Sequence, residues 1–210
     1  MDIIEHKYPE SKSLFEFHIT TNGILLDKEI IELFKENNVD VSISIDGDKR
    51  THNLNRKSKN GQDVYETIIE NMKLMQEMSL EFFVRMTVTE NNVAFLSENL
   101  NYFYNLGIRK FHLGIDHMGN WTEEGLKLLD AQMDKVDQFY LDVLCGVDGA
   151  VLNLHDYKIG TFIAKSIPQY CSGGSIGHLI INSSGELFPC GFVVNDDVWN
   201  LGTVETGLDR

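Results

Sequence analysis

One short stretch constrains the fold of this chain more than any other. Residues 41–47 read Val-Ser-Ile-Ser-Ile-Asp-Gly, so aliphatic and polar side chains alternate strictly until a glycine ends the run. Alternation with a period of two predicts a β-strand whose two faces meet different surroundings. Helical patterns flank the stretch, which favours a parallel βαβ arrangement over an antiparallel strand with one wet face. The polar face of such a strand needs water, a ligand or a cavity, because buried hydroxyls and carboxylates require partners.

Three further segments repeat this alternation. Residues 14–21, 81–88 and 110–116 each predict a strand, and amphipathic helical patterns follow them. Four strand–helix units in succession predict a parallel α/β sheet with right-handed crossovers. The polar positions of the four strands share one face of that sheet: Glu16, His18, Thr20, Ser42, Ser44, Asp46, Arg85, Thr87, His112 and Asp116.

A polar face of this extent discriminates between the parallel architectures. Strands of doubly wound sheets are apolar on both faces, and closed eight-stranded barrels fill their interior with branched apolar side chains. The pattern therefore predicts a partial barrel with a wide polar interior. Its ligand site is expected at the carboxyl ends of the strands, where Asn22, Asp46 and Asp116 lie.

Charge and cysteine content exclude several classes of partner. The chain carries 32 acidic and 18 basic residues, for a formal net charge of −14, which argues against nucleic acid because phosphate binding needs clustered Lys and Arg. Neither a signal peptide nor an apolar run of roughly 20 residues is visible, so we expect no membrane span and a cytoplasmic protein. Three cysteines do not indicate a disulfide framework, and we interpret Cys145 on the last predicted helix as structural.

Two parts of the chain carry a resemblance to a known family. Residues 17–27 (FHITTNGILLD) and 42–47 (SISIDG), followed by His52 and Arg56, resemble the middle strands of radical S-adenosylmethionine enzymes. Within that family the likeness is to the peptide- and sulfatase-maturating subgroup. These enzymes modify a peptide or protein, by cysteine or serine oxidation or by cross-linking, after a 5′-deoxyadenosyl radical abstracts hydrogen.

The C-terminal part resembles the cysteine-rich extension of the same subgroup, the SPASM or twitch domain. Cys171, thirteen residues, Gly185, four residues and Cys190 reproduce its C-x(9–15)-G-x4-C opening. The segments 176–182 and 186–188 are predicted to form its hairpin, since residues 183–185 read Ser-Ser-Gly between them.

The resemblance implies a division of the chain. Residues 1–150 correspond to a partial (β/α)6 radical SAM barrel from its third strand onward, residues 151–170 to a connecting helical segment, and residues 171–210 to the start of the SPASM/twitch domain. The CxxxCxxC motif that holds the radical-initiating [4Fe–4S] cluster does not occur in this sequence, nor does the family's Gly-Gly-Glu motif. We therefore expect a fragment that does not initiate radical chemistry alone.

The resemblance also implies cofactors and residue roles. The cofactors are S-adenosylmethionine and [4Fe–4S] clusters, and Cys171 and Cys190 are the candidate ligands of an auxiliary cluster that this chain leaves incomplete. Ser44 and Arg56 match positions that hold the cofactor carboxylate, which a hydroxyl and a guanidinium suit as donors. Met118 is expected near the adenine. The cofactor-binding set is therefore Ser44, Arg56, Asn22, Arg85 and Met118.

Three charged positions on the polar face receive separate predictions. Arg85 is predicted to pair with Glu16, with Asp46 or with substrate, because an unpaired buried cation is costly. Asp46 is predicted to stabilise the turn before Gly47. Asp116 and His112 are candidate proton relays, although either side chain also suits a role in binding loop amides.

Two other functional classes stay open. The chain is also compatible with a non-catalytic α/β module that binds peptides. An ordinary barrel lyase or isomerase would instead use Asp46, Arg85, His112 and Asp116, and it would turn over without iron.

Overall fold

The computed structural model of the protein describes residues 6–7, 10, 14–56, 63–165 and 178–208. The chain divides into two units, residues 1–158 and residues 159–210. Cys171, a predicted cluster ligand, lies outside the described residues. The domain boundaries that the sequence predicts at 150 and 170 stay a prediction.

A parallel five-stranded sheet forms the centre of the first unit, which confirms the predicted α/β class. Its strands follow one another in spatial order from β1 to β5, so every crossover joins neighbouring strands. The sequence predicted four strands; the fifth, of two residues, pairs with β4 at the start of the segment predicted to be a helical connection, and a helix follows it. The strands are β1 (Phe17–Thr21), β2 (Val39–Ser44), β3 (Phe82–Val88), β4 (Lys110–Ile115) and β5 (Val151–Leu152).

Helices connect these strands, and side-chain caps mark where some of them begin. Asp27 accepts a hydrogen bond from the backbone N–H of Ile30 and Thr122 accepts one from Gly125, as N-cap residues do. Gly107 has φ +87° after the fourth helix, the left-handed conformation expected of a C′ glycine. The helices are α1 (Lys28–Glu36), α2 (Lys49–Asn55), α3 (Tyr65–Glu77), α4 (Leu96–Asn105), α5 (Glu123–Phe139) and α6 (Asn153–Ile163).

Helix α2 was missed by the sequence analysis, which predicts no helix over Lys49–Asn55. Asp48 caps it by accepting a hydrogen bond from the backbone N–H of Thr51 at 2.8 Å. Its seven residues contain one large aliphatic side chain, so hydrophobic periodicity gives no helical signal.

The core lies between the helices and one face of the sheet. Val41, Ile43 and Ile45 are at most 1% exposed, as their alternation predicts. Met72 and Met75 of α3 are also buried in the core, where flexible methionine side chains fill gaps in the packing. Side chains on the opposite face of β2, β3 and β4 remain half-buried or exposed. The sheet therefore has one apolar face covered by helices and one open polar face.

The second unit contains short elements. Strand β6 (Ile180–Ile181) pairs antiparallel with β7 (Leu187–Phe188), at the position of the predicted hairpin. The side chain of Asn182 closes the turn by accepting hydrogen bonds from the backbone N–H groups of Ser184 and Glu186. A second antiparallel pair joins β8 (Gly202–Thr203) to β9 (Gly207–Leu208). Among the described residues of both units, every helix is too short or too polar to cross a membrane.

Candidate functional site

An ion pair closes the carboxyl end of β2. Arg56, which follows α2, donates from Nε to Oδ2 of Asp46 at 2.8 Å and from Nη2 to Oδ1 at 3.0 Å. Oδ1 also accepts the backbone N–H of Thr87 at 2.8 Å, which joins the ends of β2 and β3. The Asp46 side chain is 1% exposed, so its charge depends on these three donors. These contacts tie Asp46 to α2 and β3 instead of to the turn at Gly47, and the predicted role of Asp46 in stabilising that turn stays a prediction.

A row of three polar side chains crosses the open face next to this ion pair. Ser44 on β2 stands opposite Arg85 on β3, which stands opposite His112 on β4. Residues that are opposite in neighbouring parallel strands present their side chains on the same face. The prediction that Arg85 pairs with Asp46 is wrong, because Arg56 occupies that carboxylate. In the described ranges neither the Arg85 guanidinium nor the Ser44 hydroxyl has a protein partner.

His112 is held in its neutral form on this face. Burial lowers the pKa of His112 below its ordinary value of 6.5, and the positive charge of Arg85 lowers it further. A neutral imidazole presents one N–H donor and one nitrogen acceptor. His112 can therefore accept a proton near neutral pH, as a relay requires.

The turns that follow β1 and β4 present polar groups at the same edge of the sheet. Asn22 accepts a hydrogen bond from the backbone N–H of Ile24, and Asp116 accepts one from Met118 at 3.1 Å. The indole of Trp121 donates to the carbonyl oxygen of Asp116 at 2.7 Å. Asp116 thus organises a loop in which Met118 is 77% exposed.

Asn99 is a site residue that the sequence analysis missed. This side chain of α4 is buried, and its Oδ1 accepts the backbone N–H of Asp48 at 2.9 Å. A Cβ atom at Gly47 would lie only 2.3 Å from the Asn99 side chain. Glycine is required here because the Asn99 side chain lies too close to its backbone to leave room for a Cβ atom. The glycine after Asp46 was the available signal, but it does not reveal which residue approaches.

The described cysteines do not assemble a metal centre. Cys190 is half-buried, and Cys145 is exposed after the π-helical turn at Tyr140–Leu144, so Cys145 does not pack in the core. The interpretation of Cys145 as structural stays a prediction. Across the part of the chain that the structure describes, there is no group of three or more His, Cys, Asp or Glu residues able to hold a metal ion. A [4Fe–4S] cluster needs four such ligands, so these residues do not fit one.

The fold and the site define an α/β protein that carries an open polar face at the carboxyl ends of parallel strands. The family model described as the Radical SAM superfamily matches residues 2–106, half of the chain. The chain belongs to the Radical SAM superfamily.

Curated relatives extend the similarity over most of the chain. The cysteine-type anaerobic sulfatase-maturating enzyme of Clostridium perfringens (strain 13 / Type A) is 28% identical over 196 residues, which cover 89% of this chain and 52% of the relative. The sporulation killing factor maturation protein SkfB of Bacillus subtilis (strain 168) is 26% identical over 202 residues, which cover 92% of this chain and 48% of SkfB. The chain therefore spans about half the length of these relatives.

Solved structures share the fold. Native anSMEcpe with bound AdoMet and the Kp18Cys peptide matches with a TM-score of 0.74 at 23% identity, over 90% of this chain and 54% of that chain. The His6-tagged anSMEcpe with bound AdoMet gives a TM-score of 0.76, also at 23% identity, over 90% of this chain and 51% of that chain. At this identity the likeness concerns the fold alone.

Proposed function

We propose that this chain supplies the cofactor-binding sheet of a radical S-adenosylmethionine enzyme that modifies a peptide or protein. The Ser44 hydroxyl, unpartnered among the described residues and next to the Arg56–Asp46 ion pair on the open face of a Radical SAM superfamily sheet, carries this proposal. Residues 1–150 then form part of a (β/α)6 barrel, residues 151–170 connect, and residues 171–210 begin a SPASM/twitch domain. The antiparallel pair β6–β7 and the spacing of Cys171 and Cys190 support the last assignment.

Donors on the open face suit the α-carboxylate of S-adenosylmethionine. The Ser44 hydroxyl is without a protein partner in the described residues, and Arg56 uses only Nε and Nη2 on protein groups, which leaves Nη1 for a ligand. Charge-assisted hydrogen bonds of this kind are stronger than neutral ones. When bound and reduced, S-adenosylmethionine supplies a radical that abstracts hydrogen from a substrate.

The remaining site residues take supporting roles in this proposal. Neutral His112 accepts a proton from substrate, since burial and Arg85 keep it unprotonated near neutral pH. Asp116 holds the backbone of the β4–α5 loop and so presents Met118 toward the adenine. Asn22 contributes polar groups from the turn after β1.

Cluster chemistry is confined to the C-terminal part in this proposal. Cys190, with Cys171, contributes to an auxiliary iron–sulfur cluster, since soft thiolates suit such clusters. Two thiolates do not complete a four-thiolate site.

The substrate class follows from the relatives. The C. perfringens relative is a sulfatase-maturating enzyme, SkfB is a maturation protein, and one anSMEcpe structure contains a peptide. We extend that substrate class, a peptide or protein modified at cysteine or serine or cross-linked, to the enzyme that contains this chain.

Calorimetric titration with S-adenosylmethionine and with its decarboxylated analogue tests the proposal. We expect S-adenosylmethionine to bind about tenfold more tightly, because only it carries the carboxylate. Ser44→Ala should weaken S-adenosylmethionine about two- to tenfold and leave the analogue unchanged. Ser42→Ala, which removes a hydroxyl from the same strand and face, is the matched control and should change neither affinity. Equal binding of the two ligands, or no binding of either, would overturn the proposal.

A further inference from the structure

Arg85 differs from the other cationic side chains of the open face. Lys110 Nζ lies 2.6 Å from Glu81, His18 lies 3.1 Å from Asp40, and Arg56 is bound to Asp46. Arg85 is exposed, and within the described ranges its guanidinium has neither an acidic partner nor a hydrogen bond. A chain with a net charge of −14 therefore keeps one unpaired cation in the middle of its polar face.

The surroundings of Arg85 leave it available to a ligand. The nearby carboxylate of Asp46 is already paired with Arg56, which gives it two donors, and it accepts a third hydrogen bond from the backbone N–H of Thr87. His112 is opposite Arg85 on β4 and cannot neutralise it. A guanidinium presents a planar fork of donors that matches a carboxylate with two parallel hydrogen bonds.

Side-chain length separates this guanidinium from the cofactor position. The Ser44 hydroxyl lies close to the sheet because serine is short, whereas an arginine side chain extends well beyond it. The exposure of the two residues agrees with this difference in side-chain length, because Ser44 is half-buried and Arg85 is exposed. A ligand group that Arg85 binds therefore lies farther from the sheet than the group that Ser44 binds.

We propose that Arg85 recognises a carboxylate of the peptide substrate, so that the enzyme selects peptides with Glu or Asp beside the modified residue. This inference rests on the proposed function and names its substrate class. It assigns Arg85 to the substrate in place of the cofactor-binding role that the resemblance implied for it. The imidazole of His112 flanks the same carboxylate as a second donor. The chain as a whole is negatively charged and repels acidic peptides. A preference for acidic over neutral peptides would therefore come from the unpaired guanidinium of Arg85.

Fluorescence anisotropy with two labelled peptides tests this proposal. The peptides share one central cysteine and differ only in a neighbouring Glu or Gln. We expect the intact chain to prefer the Glu peptide about five- to tenfold, a modest factor because the face is open to solvent. Arg85→Gln should abolish or reverse this preference, and Arg85→Lys should keep part of it. Added salt should reduce the preference.

Lys73→Gln is the matched control, because it removes one exposed positive charge from α3 on the helical side of the sheet. It should leave the preference for the Glu peptide intact. An unchanged preference in Arg85→Gln, or no binding of either peptide at millimolar concentrations, would overturn the proposal.

The affinity of Arg85→Gln for S-adenosylmethionine shows whether Arg85 binds the carboxylate of the peptide or that of the cofactor. Arg85→Gln should leave the affinity for S-adenosylmethionine within about twofold of the unsubstituted chain. If it weakens S-adenosylmethionine tenfold without changing the peptide preference, Arg85 binds the cofactor and the inference is wrong. Failure of the proposed function itself is seen separately, in the titration of the unsubstituted chain with S-adenosylmethionine.

Discussion

Asp46 and Arg56 form a two-point ion pair that joins the end of β2 to the end of α2, with donor–acceptor distances of 2.8 and 3.0 Å. Thr87 adds a backbone donor from β3. The Asp46 side chain is 1% exposed and that of Arg56 is 32% exposed, so the loss of Arg56 would leave a buried carboxylate without its counter-charge.

We therefore expect Arg56→Gln to lower the free energy of unfolding by about 2 kcal/mol, less than the roughly 3–5 kcal/mol of a fully buried pair because Arg56 is partly solvated. Asp46→Asn should cost about 1–2 kcal/mol. The double variant should cost less than the sum, since the two residues interact directly. Urea denaturation followed by circular dichroism measures these values.

Arg50→Gln on the same helix is the control. It removes a cation–π contact with Phe95 and should cost less than about 1 kcal/mol. If the loss in the double variant equals the sum of the two single losses, Asp46 and Arg56 do not stabilise the fold as a pair.

Gly47 should not tolerate a side chain. The added methyl of Gly47→Ala would overlap the Asn99 amide at 2.3 Å, and the buried Asn99 has little space in which to move. We expect a loss of about 2–3 kcal/mol in the free energy of unfolding. Gly114→Ala is the control, because its methyl would meet only the carbonyl oxygen of Met86 at 3.9 Å. It should be neutral or slightly stabilising, and similar losses in both variants would show that the close approach of Asn99 is not the cause.

Stability should fall as the pH is lowered below neutral, with His52 as one cause. Burial lowers the pKa of His52 below 6.5; Arg56 acts in the same direction, while Asp46 and Asp63 oppose it. Below pH 6.5 the unfolded chain takes up a proton that the folded chain does not, so acid favours unfolding. The stability that neutral His52 contributes is fully present above this pH. It is lost as the pH falls below 6.5, by up to about 1.4 kcal/mol per pH unit.

Urea denaturation across this pH range should give a smaller slope for His52→Gln. The slope should not vanish in that variant, because the pKa of His112 is lowered in the same direction. His52→Gln/His112→Gln should be flatter still. A slope unchanged in both variants would assign the acid sensitivity to other groups.

Anaerobic reconstitution with iron and sulfide should give less than one [4Fe–4S] cluster per chain. The sequence contains three cysteines, and such a cluster takes four thiolates. Iron that does bind should be lost in Cys190→Ser and kept in Cys145→Ser. Cys145 is exposed and does not belong to the C-x(9–15)-G-x4-C pattern that contains Cys190. Iron analysis and visible absorption measure this, and a full cluster on monomeric Cys190→Ser would refute the assignment.

Local patterns were sufficient to predict much of this fold. Alternation in residues 41–47 places Val41, Ile43 and Ile45 in the core and leaves Ser44 on the open face. Each of these outcomes depends on the side of one strand or helix that a residue occupies, and that side is encoded within a few neighbouring residues. The parallel sheet and the radical SAM family were predictable for the same reason, since their signals lie in short contiguous segments.

The partners of charged groups were decided by the tertiary structure. Asp46 was expected to have Arg85 as a possible partner, but Arg56 reaches it because α2 brings the chain back over the end of β2. Asn99 reaches Gly47 from a helix that lies 51 residues from Asp48 in sequence. Periodicity reports which face a residue occupies, whereas the choice among several donors depends on distances that exist only after distant elements pack. The sequence by itself thus determined the open polar face, and only the folded chain determined that Arg56 is neutralised there and Arg85 is not.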